Sequence, residues 1–169
     1  MSIFEAVSQM KKMLTSLDKW IDKGVEHAQK KAFDPNVLVN TRLAPDMYPF
    51  VRQVQSACDA AKLAAARLTG KEAPKHEDKE QTIDELHTRI RAVTTYLDTY
   101  NKGDFEGAET RIIALPFLEG KVLSGSDYLM EMVVPNFYFH VAMAYAILRQ
   151  SGVELGKRDF ISSLNIKDP

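Results

Sequence analysis

The stretch Phe137-Tyr-Phe-His-Val-Ala-Met-Ala-Tyr-Ala-Ile-Leu148 decides the fold. It holds no glycine or proline, and its one strongly polar side chain is His140. A helix apolar on every side must be covered on every side, so the segment reads as the central helix of an all-α protein. Pro135 suits its opening, because a proline in the first turn lacks only an N–H that has no helical partner there. Gly152 suits its end, and a short tail follows to Pro169.

Working outward, three more amphipathic helices appear. Ser2 and Glu5 form a capping box, and Phe4, Val7, Met10, Leu14, Leu17, Ile21, Val25 and Ala28 recur at steps of three and four. Met13, Trp20 and His27 make a second stripe beside this one, a candidate surface for another element or a second subunit. Phe33 to Pro45 reads as a connection, since Asp34 and Ala44 each precede a proline. Asp46 then reads as the cap of a second helix with Pro49 in its first turn and a stripe of small residues, Ala57, Cys58, Ala61, Ala64 and Ala65, ended by Gly70. Lys71 to Gln81 reads as a solvated loop whose His76 carries no chemistry. Thr82 and Glu85 cap a third helix that turns Ile83, Leu86, Ile90, Val93, Leu97 and Tyr100 inward.

Between Glu106 and Asp127 the pattern changes. Thr110 to Leu115 and Gly120 to Ser124 are short, β-branched and bracketed by glycine and proline, which indicates an irregular excursion with a small hairpin as its candidate form. Tyr128 to Val134 reads as helical up to Pro135. The expected architecture is a four-helix up-down bundle, one domain over residues 1–169, with a long irregular crossover before the last long helix.

Composition narrows the function. The 22 basic and 23 acidic residues give a net charge of -1, which supplies no field for neutralising phosphates, so nucleic acid is not expected as a partner. No apolar run reaches the roughly 20 residues that cross a bilayer, and Met1 to Lys12 lacks the apolar core of a signal peptide, so the expected location is the cytoplasm. Cys58 stands alone, on a buried stripe, and reads as inert packing. Neither a dinucleotide glycine motif, a P-loop nor a nucleophile elbow occurs.

His140 must find a polar partner inside its apolar helix, with Asn136 one turn before it. His87 borders the inward stripe of the third helix and is a candidate to face His140 across the core. Tyr96, Tyr138 and Tyr145 are amphipathic groups suited to a mixed pocket wall. Gly156-Lys-Arg-Asp159 is a candidate anion site that more often pairs with nearby carboxylates or helix carbonyls.

Pro135-Asn-Phe-Tyr-Phe-His140, continued by Ala144-Tyr-Ala-Ile-Leu-Arg149 and Gly152-Val-Glu-Leu-Gly-Lys-Arg-Asp-Phe160, resembles an uncharacterised bacterial family of the DinB/YfiT-like metalloenzyme superfamily. Leu43-Ala-Pro-Asp-Met47 followed by Gln53-Val54 carries the same likeness. The resemblance implies a four-helix bundle that holds a divalent metal with three histidines, one on the second helix and two spaced H-x-x-x-H on the last; some members resemble thiol-dependent transferases. Here His140 matches one position, Asn136 and Ala144 stand four residues either side, and Gln53 is the second-helix counterpart. The leading expectation is therefore a small-molecule-binding or non-catalytic bundle without a cofactor, its pocket a hydrogen-bonded cluster of Gln53, Asn136 and His140. The alternatives are a thiol transferase or hydrolase holding Zn or Ni through His140, His87 and a carboxylate, and a structural homodimer joined through the Met13, Trp20 and His27 flank.

Overall fold

A computed structural model describes residues 2–161 and 164–168. Ser162, Ser163 and Pro169 of the expected tail lie outside the described residues. The chain is mostly helical: α1 spans Ile3–Lys30, α2 Phe50–Thr69, α3 Ile83–Asp98, α4 Gly125–Asp127, α5 Val134–Gln150 and α6 Lys157–Ile161. Among the described residues no helix is long and apolar enough to cross a membrane.

Both capping boxes form as expected, at Ser2 with Glu5 and at Thr82 with Glu85. Asp46 caps nothing. It sits in a turn before an extended Tyr48 and Pro49, and α2 opens at Phe50 with Pro49 just outside it. Helix α1 closes in a Schellman motif: the Phe33 N–H reaches the Ala28 carbonyl and the Ala32 N–H that of Gln29, with Ala32 at φ 57° where glycine is usual. Gly152 ends α5 by the same pair of bonds, to Leu148 and Arg149.

Side-chain pairs fix the helix directions. Lys11 with Asp98 and Asp18 with His87 set α1 against α3. Gln53 with His140 and Arg67 with Tyr128 set α2 against α5 and the turn that leads into it. Gln9 with Tyr138 and Trp20 with Tyr145 run α1 and α5 together. Helices α2 and α3 also run the same way, since Gln55 meets Glu80 at their N-terminal ends and Glu72 meets Tyr96 at their C-terminal ends. The chain therefore does not alternate strictly, as an up-down bundle would; it must return along α2 before α3 begins.

Residues 71–82 make that return, and here the reading of a solvated loop fails. His76, Asp78 and Glu80 are half-buried while Lys75, Glu77, Lys79 and Gln81 between them are exposed, the two-residue alternation of an extended strap lying on a surface. His76 meets Lys62, Asp78 meets Arg52 and Arg89, and Glu80 meets Gln55 and Arg89.

The central helix is also corrected. Phe139 is 52% exposed, and the buried residues of α5, Phe137, His140, Val141, Ala144, Ile147 and Leu148, form one face. Helices α1, α3 and α5 all pack on α2 instead, whose alanines and Cys58 let three neighbours approach closely. Burial pushes the Cys58 thiol up to about 12, so it is a small apolar filler.

The excursion after α3 contains the expected hairpin, β1 Ile112–Ala114 antiparallel to β2 Val122–Ser124 in the register Ile113 opposite Leu123. It returns through α4, where a Cβ on Gly125 would lie 1.8 Å from the Ala108 carbonyl oxygen. A π-helical turn, Tyr128–Val133, joins α4 to α5 directly before Pro135. The wider turn relieves the clash between a proline ring and the carbonyl four residues earlier.

The Met13, Trp20 and His27 flank faces its own chain rather than a second subunit. Met13 and Trp20 are 3% and 1% exposed, the Trp20 ring stacks on Phe160 of α6, and its Nε1–H donates to the Asp159 carbonyl. The His27 ring lies edge-on to Phe33. Trp20, the middle residue of the stripe read as a dimer surface, is thus covered by the C-terminal segment of its own chain, and His27 packs beside Phe33.

Candidate functional site

The elements place His140 on the inner face of α5, opposite the first turns of α2. Its Nδ1 is 2.8 Å from Gln53 Oε1, and Gln53 Nε2 donates to the Tyr48 carbonyl at 3.2 Å. Gln53 is 1% exposed and His140 8%. The Tyr48 carbonyl accepts only, so it orients the amide, which in turn leaves Gln53 Oε1 to accept. Hence His140 carries its proton on Nδ1. Its Nε2 keeps a lone pair and has no protein partner among the described residues. Burial, with the Arg52 charge as a smaller contribution, pulls the His140 pKa below the ordinary histidine value, so the ring is neutral.

His140 lines a cleft of about 240 Å³ between α2 and the α5 segment. The α2 wall carries Arg52, Ser56, Asp59 and Arg67; Tyr128 and Asn136 stand opposite. Asn136 thus shares the cleft with His140, while Gln53 lies behind it as the orienting group.

His87 and Tyr96 stand elsewhere. His87 Nδ1 is bonded to Asp18, with Asp22 3.4 Å from Nε2, on the α1 side of α3. Tyr96 donates its hydroxyl to the Glu72 carbonyl at 3.0 Å and shares a hydrogen bond with Tyr100. His140 and His87 therefore do not converge. Tyr145 is bonded to the Leu155 carbonyl. The 156–159 run is closed to anions by its own Asp159, which takes the Gly156 N–H and Lys23.

The donor set does not fit the three-histidine metal centre that the resemblance implies. His140 Nδ1 is engaged by Gln53, Ala144 offers no donor, and among the described residues no three His, Cys, Asp or Glu side chains gather as ligands. One imidazole nitrogen does not make a zinc site.

Sequence reasoning missed the charged floor beside the cleft. Arg89, 2% exposed, is held by Asp59 at 2.8 Å, Asp78 at 3.0 Å and Glu80 at 3.0 Å. Lys62, 5% exposed, is 2.7 Å from Asp59 and 2.9 Å from His76 Nδ1. Burial disfavours the Arg89 charge, but the three carboxylates outweigh it and raise its pKa. The available clue was Arg89 itself, three residues after Leu86 on an inward face, a position that asks for buried partners.

Fold and cleft together define a helical-bundle protein with a neutral, oriented histidine on a small polar cleft. Residues 4–161 match the family described as a domain of unknown function (DUF1993), and the chain belongs to that family. Over the full length of both chains it is similar, at 43% identity and a TM-score of 0.94, to the crystal structure of a DinB family member protein from Shewanella denitrificans. Among curated proteins none matches the chain.

Proposed function

We propose that this protein is a small-molecule-binding bundle whose cleft keeps a hydrogen-bonded histidine where the superfamily it resembles builds a metal centre. The supporting observation is the relay from the Tyr48 carbonyl through Gln53 to His140, which leaves the Nε2 lone pair free on a residue lining the cleft. A ring so oriented accepts a hydrogen bond from a ligand, or takes a proton from one. A buried imidazole needs a partner for one nitrogen in any case; what favours a ligand is the second nitrogen, left without a partner among the described residues on a residue that lines the cleft. With Gln53 and Ala144 in place of further imidazoles, binding rests on hydrogen bonds and charge rather than on a cation.

Elemental analysis of untagged protein tests the reading. Well under one equivalent of zinc or nickel, unchanged in His140→Ala, is the expected result. A full equivalent that disappears in His140→Ala would overturn it and make the metal-dependent transferase or hydrolase the better account.

A further inference from the structure

The strap over residues 71–82 is fastened in two halves. Among the described residues none of 72–81 makes a backbone–backbone hydrogen bond, so its polar attachment to α2 and α3 runs through side chains. The second half has several such anchors: Asp78 pairs with Arg52 and Arg89, and Glu80 with Arg89 and the Gln55 amide. Asp78 itself stands at φ 52°, in the left-handed region, which bends the extended run at the boundary. The first half has one. Between Glu72, whose carbonyl accepts from Tyr96, and Asp78, the single polar contact to a helix among the described residues is His76 Nδ1 to Lys62 Nζ at 2.9 Å.

That contact exists in one protonation state. Lys62 is 5% exposed and is paired with Asp59 at 2.7 Å. An ammonium only donates, so His76 Nδ1 accepts and the ring keeps its proton on Nε2. A second proton would fill the Nδ1 lone pair and set two cations 2.9 Å apart. The charged groups facing the ring are Asp59 and Lys62 on α2, Arg89 on α3 and Glu80 on the strap, with Lys75 and Lys79 as exposed cations beside it. Both of those carboxylates are already engaged, Asp59 by Lys62 and Arg89, Glu80 by Arg89 and Gln55. Of the other acids along the same hollow, Asp78 is held by its two arginines, Glu85 takes the Gln81 and Thr82 N–H groups, and Glu77 pairs with Lys79. Arg52, Lys62 and Arg89 thus balance Asp59, Asp78 and Glu80 while the ring is neutral. Burial, reinforced by Arg89 and Lys62, holds the ring's pKa below the ordinary histidine value.

We infer that the first half of the strap is an acid-released latch: a proton from solvent on His76 breaks its bond to Lys62 and frees residues 73–77 from α2, while Asp78 and Glu80 keep the second half in place. Lifted into water, the ring returns to the ordinary value of about 6.5, so falling pH favours the open form. Asp59, which lines the cleft, keeps Lys62 and Arg89 throughout, so the latch opens without dismantling the His140 site. It needs no ligand in the cleft.

NMR order parameters of the Ala73, Lys75, His76 and Glu77 amides, followed beside the His76 ring shifts in the full-length protein, test the latch. They should stand at about 0.8 or above at about pH 7.5 and fall below about 0.6 by about pH 5, with the midpoint of the ring titration, while Glu80 and Gln81 stay ordered. His76→Gln offers Lys62 an amide oxygen that does not titrate, so its strap should stay ordered across the range. His76→Arg carries a fixed charge and should loosen the same residues already at about pH 7.5. Trp20 fluorescence reports whether the bundle stays folded. The latch is overturned if residues 73–77 are mobile at about pH 7.5, if they stay ordered down to about pH 5, or if they loosen equally in His76→Gln. An ordered strap in His76→Arg overturns it as well, and so does a Trp20 change with the same midpoint, which would make the acid effect global.

Discussion

Arg89 gives the sharpest test of how the strap is held. Arg89→Met keeps most of the aliphatic volume and removes a cation shared by Asp59, Asp78 and Glu80. Removing one partner of a buried ion pair costs about 3–5 kcal/mol when the other charge is left stranded. Here each carboxylate keeps a second partner: Asp59 has Lys62 at 2.7 Å, Asp78 has Arg52 at 2.5 Å, and Glu80 has the Gln55 amide at 2.8 Å. The variant also removes the Arg89 Nε, which is buried without an acceptor and carries a desolvation cost of about 1–3 kcal/mol. The net loss should therefore fall to about 2–3 kcal/mol. At roughly 2–4 °C per kcal/mol for a chain of this size, Tm drops by about 4–12 °C. Urea unfolding followed by Trp20 fluorescence measures it, because Trp20 is the sole tryptophan and is 1% exposed. Lys79→Ala is the control; Lys79 and its partner Glu77 are both exposed, so stability should stay within about 0.5 kcal/mol. A loss below about 0.5 kcal/mol in Arg89→Met would refute the view that this cation fastens the strap.

Four further outcomes follow from individual positions. Gln53→Leu leaves the His140 Nδ1–H and the Tyr48 carbonyl without their partner and should cost about 1–3 kcal/mol by the same urea assay; a neutral effect would remove the orienting role given to the amide. Ala32→Gly relieves a left-handed alanine at φ 57° and should raise stability by about 0.5–1 kcal/mol, with calorimetry as the check and a loss as the contrary result. Gly125→Ala places a carbon 1.8 Å from the Ala108 carbonyl oxygen and should cost more than about 2 kcal/mol, or displace the hairpin, visible as shifted amide resonances over 108–125. For pH, burial lowers the folded pKa of both His140 and His76, the latter with added push from Arg89 and Lys62. The unfolded chain then binds protons first as pH falls through the ordinary value near 6.5, so stability should decline below that point and level off once the folded rings titrate. Gln at both positions should flatten this slope while leaving the loss at lower pH, where Asp78, held down by Arg52 and Arg89 against the effect of its burial, becomes protonated. An unchanged slope in the double variant would reject the assignment.

The four long helices were legible because each carries its own periodicity and ends, and those are local properties of sequence. The direction of α3 was not. Whether a 12-residue segment turns back at once or runs the length of a helix depends on what it touches, and the partners of 71–82 sit on α2 and α3. Charge and a proline marked the segment as exposed loop, and half of it is. The other half, His76, Asp78 and Glu80, alternates inward, a pattern that is visible in hindsight only because the acceptors coincide with Arg52, Lys62 and Arg89. In the same way, the apolar run of α5 indicated burial on all sides, but composition reports what a surface would prefer and not which neighbours exist. The alanine-rich α2 took the centre because small side chains admit three neighbours, and Phe139 was left half open.

The site divides along the same line. That His140 needs a partner followed from an imidazole in an apolar helix, and Gln53 followed from the family pattern; their 2.8 Å separation brings the two together. His87 and Tyr96 lie on comparable stripes of α3, yet a stripe faces whichever helix packs against it, and for His87 this is α1 with Asp18 and Asp22. What no single stripe contains is charge balance. Arg52, Arg67 and Arg89 are alike in sequence, and only the fold shows that two are neutralised while the third stands over Tyr128 with no carboxylate partner among the described residues. Such remainders are products of packing: the partners that leave the Arg67 guanidinium on Tyr128 and the His140 ring on Gln53 come from other helices, so neither could be read from the stripe that carries it.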